Sequence, residues 1–172
     1  MNVRVNDLTH SIRVNGIVPR YYQAWADMFR RCKDRDSSVC EDWHKLSSFK
    51  KWYDKHHVVG WQLDKDILID GNTQYSPSTS VFVPQEINKL YTDKKLNKKS
   101  KLPTGVYTYK NGKYKSSMSQ YGRQKYIGIF DSIELAQNAY EKERTSYVLS
   151  LCEKYKNILP EFVIESMMNK YS

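Results

Sequence analysis

The chain is poor in the features that mark secreted and membrane-spanning proteins. It has only three cysteines, Cys32, Cys40 and Cys152, an odd number without paired spacing, which argues against a disulfide framework. No apolar run approaches the ~20 residues of a membrane-spanning helix, and no signal-peptide core follows Met1. We therefore expect free thiols and a soluble, cytoplasmic protein that does not attach to membranes.

Acidic residues are missing from one long segment. The stretch from Lys94 to Lys125 holds ten of the 28 basic residues and none of the 19 acidic ones, so the net charge of +9 arises there. Tyrosines are interleaved with these cations. A surface that faces nucleic-acid phosphates needs cations with flat rings beside them, so the segment predicts a nucleic-acid contact. The alternative is a solvated outer surface that happens to carry lysine.

Apolar periodicity organises the first part of the chain. Residues 1–18 show no period, and we interpret them as an irregular arm. The stretches "PRYYQAWADMFRRCKD" and "SVCEDWHKLSSFKKWYDK" carry aromatic residues at helical spacing and predict two packed helices. A strand, a turn, a strand and a helix are predicted next, ending in "PQEINKLY". We assign residues 19–92 to this helix-rich module and the lysine-rich residues 93–103 to a linker.

The C-terminal part predicts a small antiparallel sheet packed on one long helix. Three strand-length runs, "GVYTYKN", "GKYKSSM" and "QKYIGIF", are separated by Asn111-Gly112, a strong hairpin signal, and by a loop containing Gly122. Asp131 or Ser132 is the expected N-cap of the helix that follows. We assign residues 104–152 to this domain and 153–172 to a helical extension, in which Phe162, Ile164 and Met167 or Met168 recur at loosely helical spacing. The predicted fold class is α+β.

Strand alternation predicts that the sheet has one apolar and one basic, aromatic face, because neighbouring side chains in a strand point in opposite directions. Ile127 and Ile129 are expected to face the helix, with Lys125 at the margin. A narrow sheet can enter the major groove of DNA, where Lys and Gln reach base edges. The residues expected on the DNA-facing side are Tyr107, Tyr109, Lys113, Lys115, Ser117, Gln124 and Tyr126.

The stretch "GVYTYKNGKYKSSMSQYGRQKYIGIFDSIELAQNAY" resembles an AP2 (ERF-type) DNA-binding domain. The residues that carry the resemblance are Gly105, Val106, Gly112, Lys113, Met118, Tyr126, Ile127, Gly128, Phe130, Ser132, Ala136, Ala139 and Tyr140. It covers about a quarter of the chain. The resemblance implies binding of double-stranded DNA through the sheet.

The contact positions that this resemblance implies are Tyr107, Tyr109, Ser117, Ser119, Gln124 and Tyr126. To these we add the basic residues of the same segment: Lys98, Lys99, Lys101, Lys113, Lys115 and Arg123. Several plant-type members of the family have Arg where this chain has Tyr107, Tyr109 and Gln124. Their target sequence is therefore not carried over to this chain.

AP2-like modules in phage and bacterial proteins commonly accompany HNH nuclease domains. The stretch "LDKDILIDGNTQYSPSTSVFVPQEIN" resembles the HNH motif, with Asp64 and Asn88 at metal positions and Thr79 at the central Asn. Lys65 occupies the place of the general-base histidine. A solvent-exposed lysine is protonated at neutral pH and cannot accept a proton, whereas burial beside a metal would lower the pKa of a lysine. The simplest account of the resemblance is an HNH-like module that has lost its base.

These patterns predict a phage-type double-stranded DNA-binding protein without cofactors, located in the cytoplasm of a bacterial host if phage-encoded. One alternative is an Mg²⁺-dependent, homing-type endonuclease that uses Asp64 and Asn88 for the ion and His56 or His57 as the base. Another is an inhibitor of a host protein, which leaves no motif. A zinc site built from Cys32, Cys40, His44 and His57 is disfavoured, because the spacings match no common finger pattern. The oligomeric state and target sequence are not readable from the chain.

Overall fold

A computed structural model describes residues 4–8, 13, 15–33, 36–92 and 102–170 of the chain. The chain forms two compact units, Met1–Gln85 and Glu86–Ser172. Each unit has its own buried core, and each is described separately below. Within the described ranges, no helix is both long and apolar enough to span a membrane.

The first helix of the first unit is the predicted aromatic helix. Helix α1 spans Arg20–Lys33 and buries Trp25, Met28 and Phe29, which recur at the three-to-four-residue spacing of one helical face. The indole Nε1 of Trp25 donates a hydrogen bond of 2.7 Å to the carbonyl of Trp43. The first predicted helix is therefore confirmed, and its buried ring is tied to the segment that follows.

The second predicted helix is wrong in its first half. Its region contains a short strand β1 (Ser38–Val39), a 3₁₀ helix (Glu41–His44) and helix α2 (Leu46–His56). Lys45 separates the two helices with an extended backbone, φ −87° and ψ 127°. The backbone of Val5 pairs there, donating to the His44 carbonyl at 2.7 Å and accepting from Leu46 at 3.0 Å. This pairing with a distant segment replaces the local hydrogen bonds of a continuous helix.

Short strands complete the first unit. Strand β2 (Gln62–Asp64) pairs antiparallel with β4 (Val81–Val83), and β3 (Gln74–Tyr75) pairs parallel with β1. Rings from the helices and from β4 then meet in one core. The aromatic members of that core are Trp25, Phe29, Trp43, Phe49, Trp52, Tyr53, Tyr75 and Phe82.

Helix α3 (Gln85–Thr92) begins at the last residue of the first unit, and the rest of it belongs to the second. The side chain of Arg144 donates to the Leu90 carbonyl, and the carboxylate of Glu86 accepts from Lys154 and Tyr155. The sequence pattern instead groups this helix with the preceding strands, within residues 19–92. Most of the predicted linker, including Lys98, Lys99 and Lys101, lies outside the described residues.

The predicted three-stranded antiparallel sheet is present. Strands β5 (Val106–Thr108), β6 (Tyr114–Gln120) and β7 (Arg123–Phe130) are ordered β5-β6-β7. At the first turn, Asn111 and Gly112 have positive φ angles of 56° and 72°, the conformation that this dipeptide favours in hairpins. Tyr121 and Gly122 form the second turn between paired Gln120 and Arg123.

Helix α4 (Ile133–Tyr155) packs across one face of the sheet. The Ser132 hydroxyl accepts from the Leu135 amide at 3.1 Å, so Ser132, not Asp131, is the N-cap. Helix α5 (Glu161–Asn169) buries Val163 and Met167. Phe162, one of the apolar residues at loosely helical spacing in the sequence, is 54% exposed, because the buried stripe begins one residue later.

Candidate nucleic-acid interface

A β-bulge decides which side chains share the open face of the sheet. Gly128 pairs with Ser116 and Tyr126 pairs with Ser117, so Ile127 has no partner of its own in the ladder. The extra residue shifts the alternation by one position. In a regular strand, residues three positions apart point to opposite faces. Across the bulge, Tyr126 and Ile129 are three positions apart and point to the same face.

The bulge overturns the prediction that Ile129 faces the helix. Ile129 pairs with Lys115, which pairs with Tyr107 on its other side, and directly paired residues project to the same face. Ile129 is 39% exposed. It lies on the face opposite α4, which we call the outer face, and Ile127 is half-buried in the bulge.

The outer face is an exposed, largely aromatic surface. Tyr107 is 47% exposed and Tyr126 59% exposed, and Tyr109 at the end of the first strand is also open to solvent. Exposed aromatic rings gathered on one face of a small domain are uncommon outside binding surfaces. The predicted gathering of these tyrosines is therefore present.

Three lysines of the acid-poor segment have different surroundings. The Lys115 ammonium lies 5.5 Å from the centre of the Tyr107 ring on the outer face. Lys113 instead pairs with Asp131 at 2.9 Å, and Lys125 pairs with Glu143 of α4 on the helix side. Acids from beyond the segment thus neutralise two cations that the sequence left unopposed. Among the described residues, no carboxylate pairs with Lys115.

The remaining predicted contact residues divide between the two faces. Ser119 and Gln124 pair with each other on the outer face and are exposed. Ser117 is buried, and its hydroxyl accepts a 3.0 Å hydrogen bond from the Gln124 amide. Arg123 lies two residues before Lys125 in β7, so its side chain projects to the same face as Lys125, the helix side, and not to the outer face. It is exposed beside the second turn.

Close packing between the sheet and α4 stabilises the domain on the side opposite the outer face. Gly105 has φ +79°, and a Cβ there would lie 2.2 Å from the ring of Tyr140 and 2.9 Å from the carbonyl of Ser117. The Tyr121 amide donates to the Tyr147 hydroxyl at 3.1 Å, which fastens the second turn to α4. Burial raises the pKa of Tyr147, so this hydroxyl remains neutral at physiological pH.

Asp64, the predicted metal ligand of the first unit, serves the local backbone. It is 4% exposed, and its Oδ1 accepts from the amides of Asp66 at 2.7 Å and Ile67 at 3.0 Å. Burial, with a smaller contribution from the charge of Asp66, raises the pKa of Asp64 to about 6. These two hydrogen bonds hold the loop that leaves β2.

The side chain of Lys65 also makes local hydrogen bonds. Its ammonium donates to Asp66 at 2.5 Å and to the Asn72 carbonyl at 2.9 Å, and it lies 5.7 Å from the centre of the Tyr75 ring. Asn72 closes the same loop by donating to the carbonyls of Lys65 and Gln74. The lysine at the general-base position is therefore buried, and its ammonium is held by hydrogen bonds.

The two histidines considered as alternative bases, His56 and His57, lie against aromatic rings. His56 stacks on Trp52 and His57 on Tyr53, with centroid distances of 4.6 and 4.3 Å. Burial, aided by the charge of Arg20, lowers the pKa of His57. Asn88, the other predicted metal ligand, is on α3 in the second unit. Within the part of the chain that the structure describes, no three His, Cys, Asp or Glu residues form a cluster that could hold a metal ion.

Comparisons with protein-family models, curated proteins and solved structures find no match to this chain. The candidate site is therefore defined by its own geometry. Sequence reasoning missed two of its features, the outward position of Ile129 and the pairing of Lys113 with Asp131. The available signal for the first was Gly128, because an isolated glycine within a strand pattern often marks a bulge.

Proposed function

We propose that this protein binds double-stranded DNA by placing the outer face of the β5-β6-β7 sheet in the major groove, in the manner of an AP2-like domain. The observation that carries the proposal is the open row Tyr107, Lys115 and Ile129 beside Tyr126. It combines a cation for phosphate or guanine with rings and an aliphatic group for sugars and bases. The basic residues 94–101 extend the positive charge in sequence.

The geometry of the sheet suits the major groove. Three strands spaced about 4.8 Å apart present a surface roughly 10 Å across, and the groove is ~12 Å wide. Helix α4 covers the opposite face, so the outer face can approach DNA without exposing the core. Because Lys113 and Lys125 already have acidic partners, Lys115 is the sheet lysine expected to contribute most to affinity.

In this proposal, the first unit contributes to DNA binding and not to catalysis. Asp64 and Lys65 are both buried and hydrogen-bonded within one loop, where they act as a structural brace. A protonated lysine held by a carboxylate and a carbonyl is a poor general base. We therefore propose an inactivated HNH-like module that gives additional affinity, and we expect no nicking of supercoiled plasmid in the presence of Mg²⁺ or Mn²⁺.

Binding of the full chain to a random-sequence duplex, followed by fluorescence anisotropy at several salt concentrations, tests the proposal. If about five phosphates are neutralised, log affinity should fall against log salt with a slope of about −4 to −5. Lys115→Glu should weaken binding at least about tenfold at ~0.1 M salt, the loss expected when a cation at the phosphates becomes an anion.

Lys142→Glu is the matched control, because Lys142 is an exposed lysine on α4 and the charge change is identical. It should alter affinity much less than Lys115→Glu. Equal losses in the two variants would show that only net charge matters and would remove the outer face from the proposal. Undetectable duplex binding at ~0.05 M salt would overturn the proposal altogether.

A further inference from the structure

The position of Ile129 gives the outer face an aliphatic group where the chain's alternation predicted none. Ile129 lies at the edge strand β7, directly across from Lys115. The ring of Tyr107 lies beyond Lys115 in the same cross-strand row. An exposed isoleucine at the β7 end of this row has no packing role in the core of its unit, which lies on the other side of the sheet.

Major-groove edges of base pairs carry polar donors and acceptors and a single kind of apolar group, the C5-methyl of a pyrimidine. A side chain without donors or acceptors cannot recognise the polar pattern. Its contact with this methyl group is favourable, because the contact removes both apolar groups from water. Lys115 and Gln124, on the same face, can meet the polar edges. Ile129 thus complements the one base feature that they cannot recognise.

Resting on the proposed function, we propose that Ile129 is a specificity-determining contact for a pyrimidine C5-methyl group, supplied by thymine or by 5-methylcytosine. The bulge at Ile127 and Gly128 is the structural device that turns this side chain toward DNA. The site preferred by the protein should contain a thymine within one or two base pairs of the position that Lys115 contacts, because their strands are neighbours about 4.8 Å apart.

The test begins with a duplex selected by the full chain from a random-sequence library. Each thymine of the selected site is then replaced, one at a time, by deoxyuridine, which removes only the methyl group. At one position we expect affinity to fall about fourfold, the fold-change equivalent to ~0.8 kcal/mol for one buried methyl-sized group. Because the protein is unchanged, no effect on its folding can confound this comparison.

A second arm uses the protein. Ile129→Ser should bind the thymine and deoxyuridine duplexes equally, whereas Ile158→Ser should keep the fourfold difference. Ile158 is the matched control, since it is an exposed isoleucine at the turn that follows α4. Replacing the critical thymine by cytosine should weaken binding, and 5-methylcytosine at that position should restore part of the loss if the methyl group itself is recognised.

Two kinds of failure are distinguishable. Without duplex binding, the proposed function and this inference both fall. If the protein selects a site and binds it equally with thymine or deoxyuridine at every position, or if that site has no thymine, only the inference is overturned. Retention of the fourfold difference by Ile129→Ser would also overturn it. Unchanged DNA binding by Ile129→Ser would instead favour a protein partner for this apolar group.

Discussion

Two lysines show how differently the two units use charge. In the first unit, Lys65 is buried, with its ammonium bonded to Asp66 and to the Asn72 carbonyl. In the second, Lys115 lies over the Tyr107 ring on an open sheet face. A cation whose donors are already used contributes to the fold, whereas one without a carboxylate partner among the described residues is available to a ligand. The same residue type therefore has two roles, set by its surroundings.

The aromatic residues show the same contrast. All four tryptophans of the chain lie in the first unit, and three of them are buried in its core, including Trp25 and Trp43. The second unit instead leaves Tyr107, Tyr109 and Tyr126 open to solvent. Buried rings stabilise a fold through their large apolar area, while exposed rings on a common face are free to contact a partner.

The largest expected effect tests the structural role of the first unit's rings. Trp25→Ala should lower the free energy of unfolding by about 3–5 kcal/mol, because it leaves a large cavity. It also removes the hydrogen bond to the Trp43 carbonyl. Fluorescence of the remaining tryptophans during urea denaturation measures the loss. Hydrogen exchange should rise in α1 and α2 more than in β6 and β7, and equal acceleration in both units would show that Trp25 does not stabilise the first unit selectively.

The second unit can be weakened without touching its outer face. Gly105→Ala should cost about 3 kcal/mol, from the positive φ together with the clash against Tyr140. Gly112→Ala is the control, since it has φ +72° but no atom within 4 Å of the added Cβ, and it should cost about 1 kcal/mol. Thermal unfolding followed by circular dichroism compares them, and equal losses would contradict the clash.

The pH dependence of stability should reside partly in Asp64. Its folded pKa of about 6 lies above the ordinary value of 3.8, so the carboxyl contributes stability below about pH 4 and this contribution is lost as pH rises through 6. The difference is about 2–3 kcal/mol. Asp64→Asn keeps an acceptor for the loop amides and should remove this component, making the first unit more stable at pH 7 than the original chain.

Urea midpoints from tryptophan fluorescence between pH 4 and 8 measure this effect. Asp36→Asn, which changes an exposed carboxylate of the same unit, serves as the control and should leave the profile unchanged. A decrease in stability for Asp64→Asn at pH 7 would mean that the charge of Asp64 strengthens its bonds to the two amides more than burial opposes it.

The smallest expected effect concerns base preference. Gln124→Ala should leave affinity for random duplex within about twofold and reduce discrimination between the selected site and its variants, because a glutamine pair with adenine is worth ~1–3 kcal/mol. Competition binding measures the ratio of the affinity for the selected site to the affinity for each variant site. Asn138→Ala, which removes an exposed amide of α4, should leave it unchanged. Uniform weakening on all sequences would assign Gln124 to phosphate contact.

Local patterns predicted much of the fold. Helix α1, the strand β4, helix α3 and the three-stranded meander were all readable, and the helix cap was narrowed to Asp131 or Ser132, because periodicity and turn chemistry act over a few residues. The split of the second predicted helix at Lys45 was not readable. Its cause is Val5, forty positions away in the chain, whose backbone pairs on both sides of Lys45. Local propensity cannot register a partner of that kind.

The candidate DNA-binding face was partly predictable for the same reason. Strand alternation placed Tyr107, Lys115 and Gln124 together, but the bulge reversed Ile129. Counting charges along the chain also missed that Asp131 neutralises Lys113. Alternation and composition describe a strand as if it were regular and isolated, whereas the paired sheet fixes the register.

Residue type and spacing alone account for the excess of positive charge, its separation from acidic residues in the chain, and the alternation that makes a tyrosine-rich sheet. The surroundings of each charge, by contrast, are set by folding: Lys65 is buried among Asp66, Asn72 and Tyr75, while Lys115 stays on an open face. Desolvation and hydrogen bonding depend on which atoms surround a charge, and residue type and spacing do not show that the loop after β2 encloses Lys65 while the sheet leaves Lys115 open.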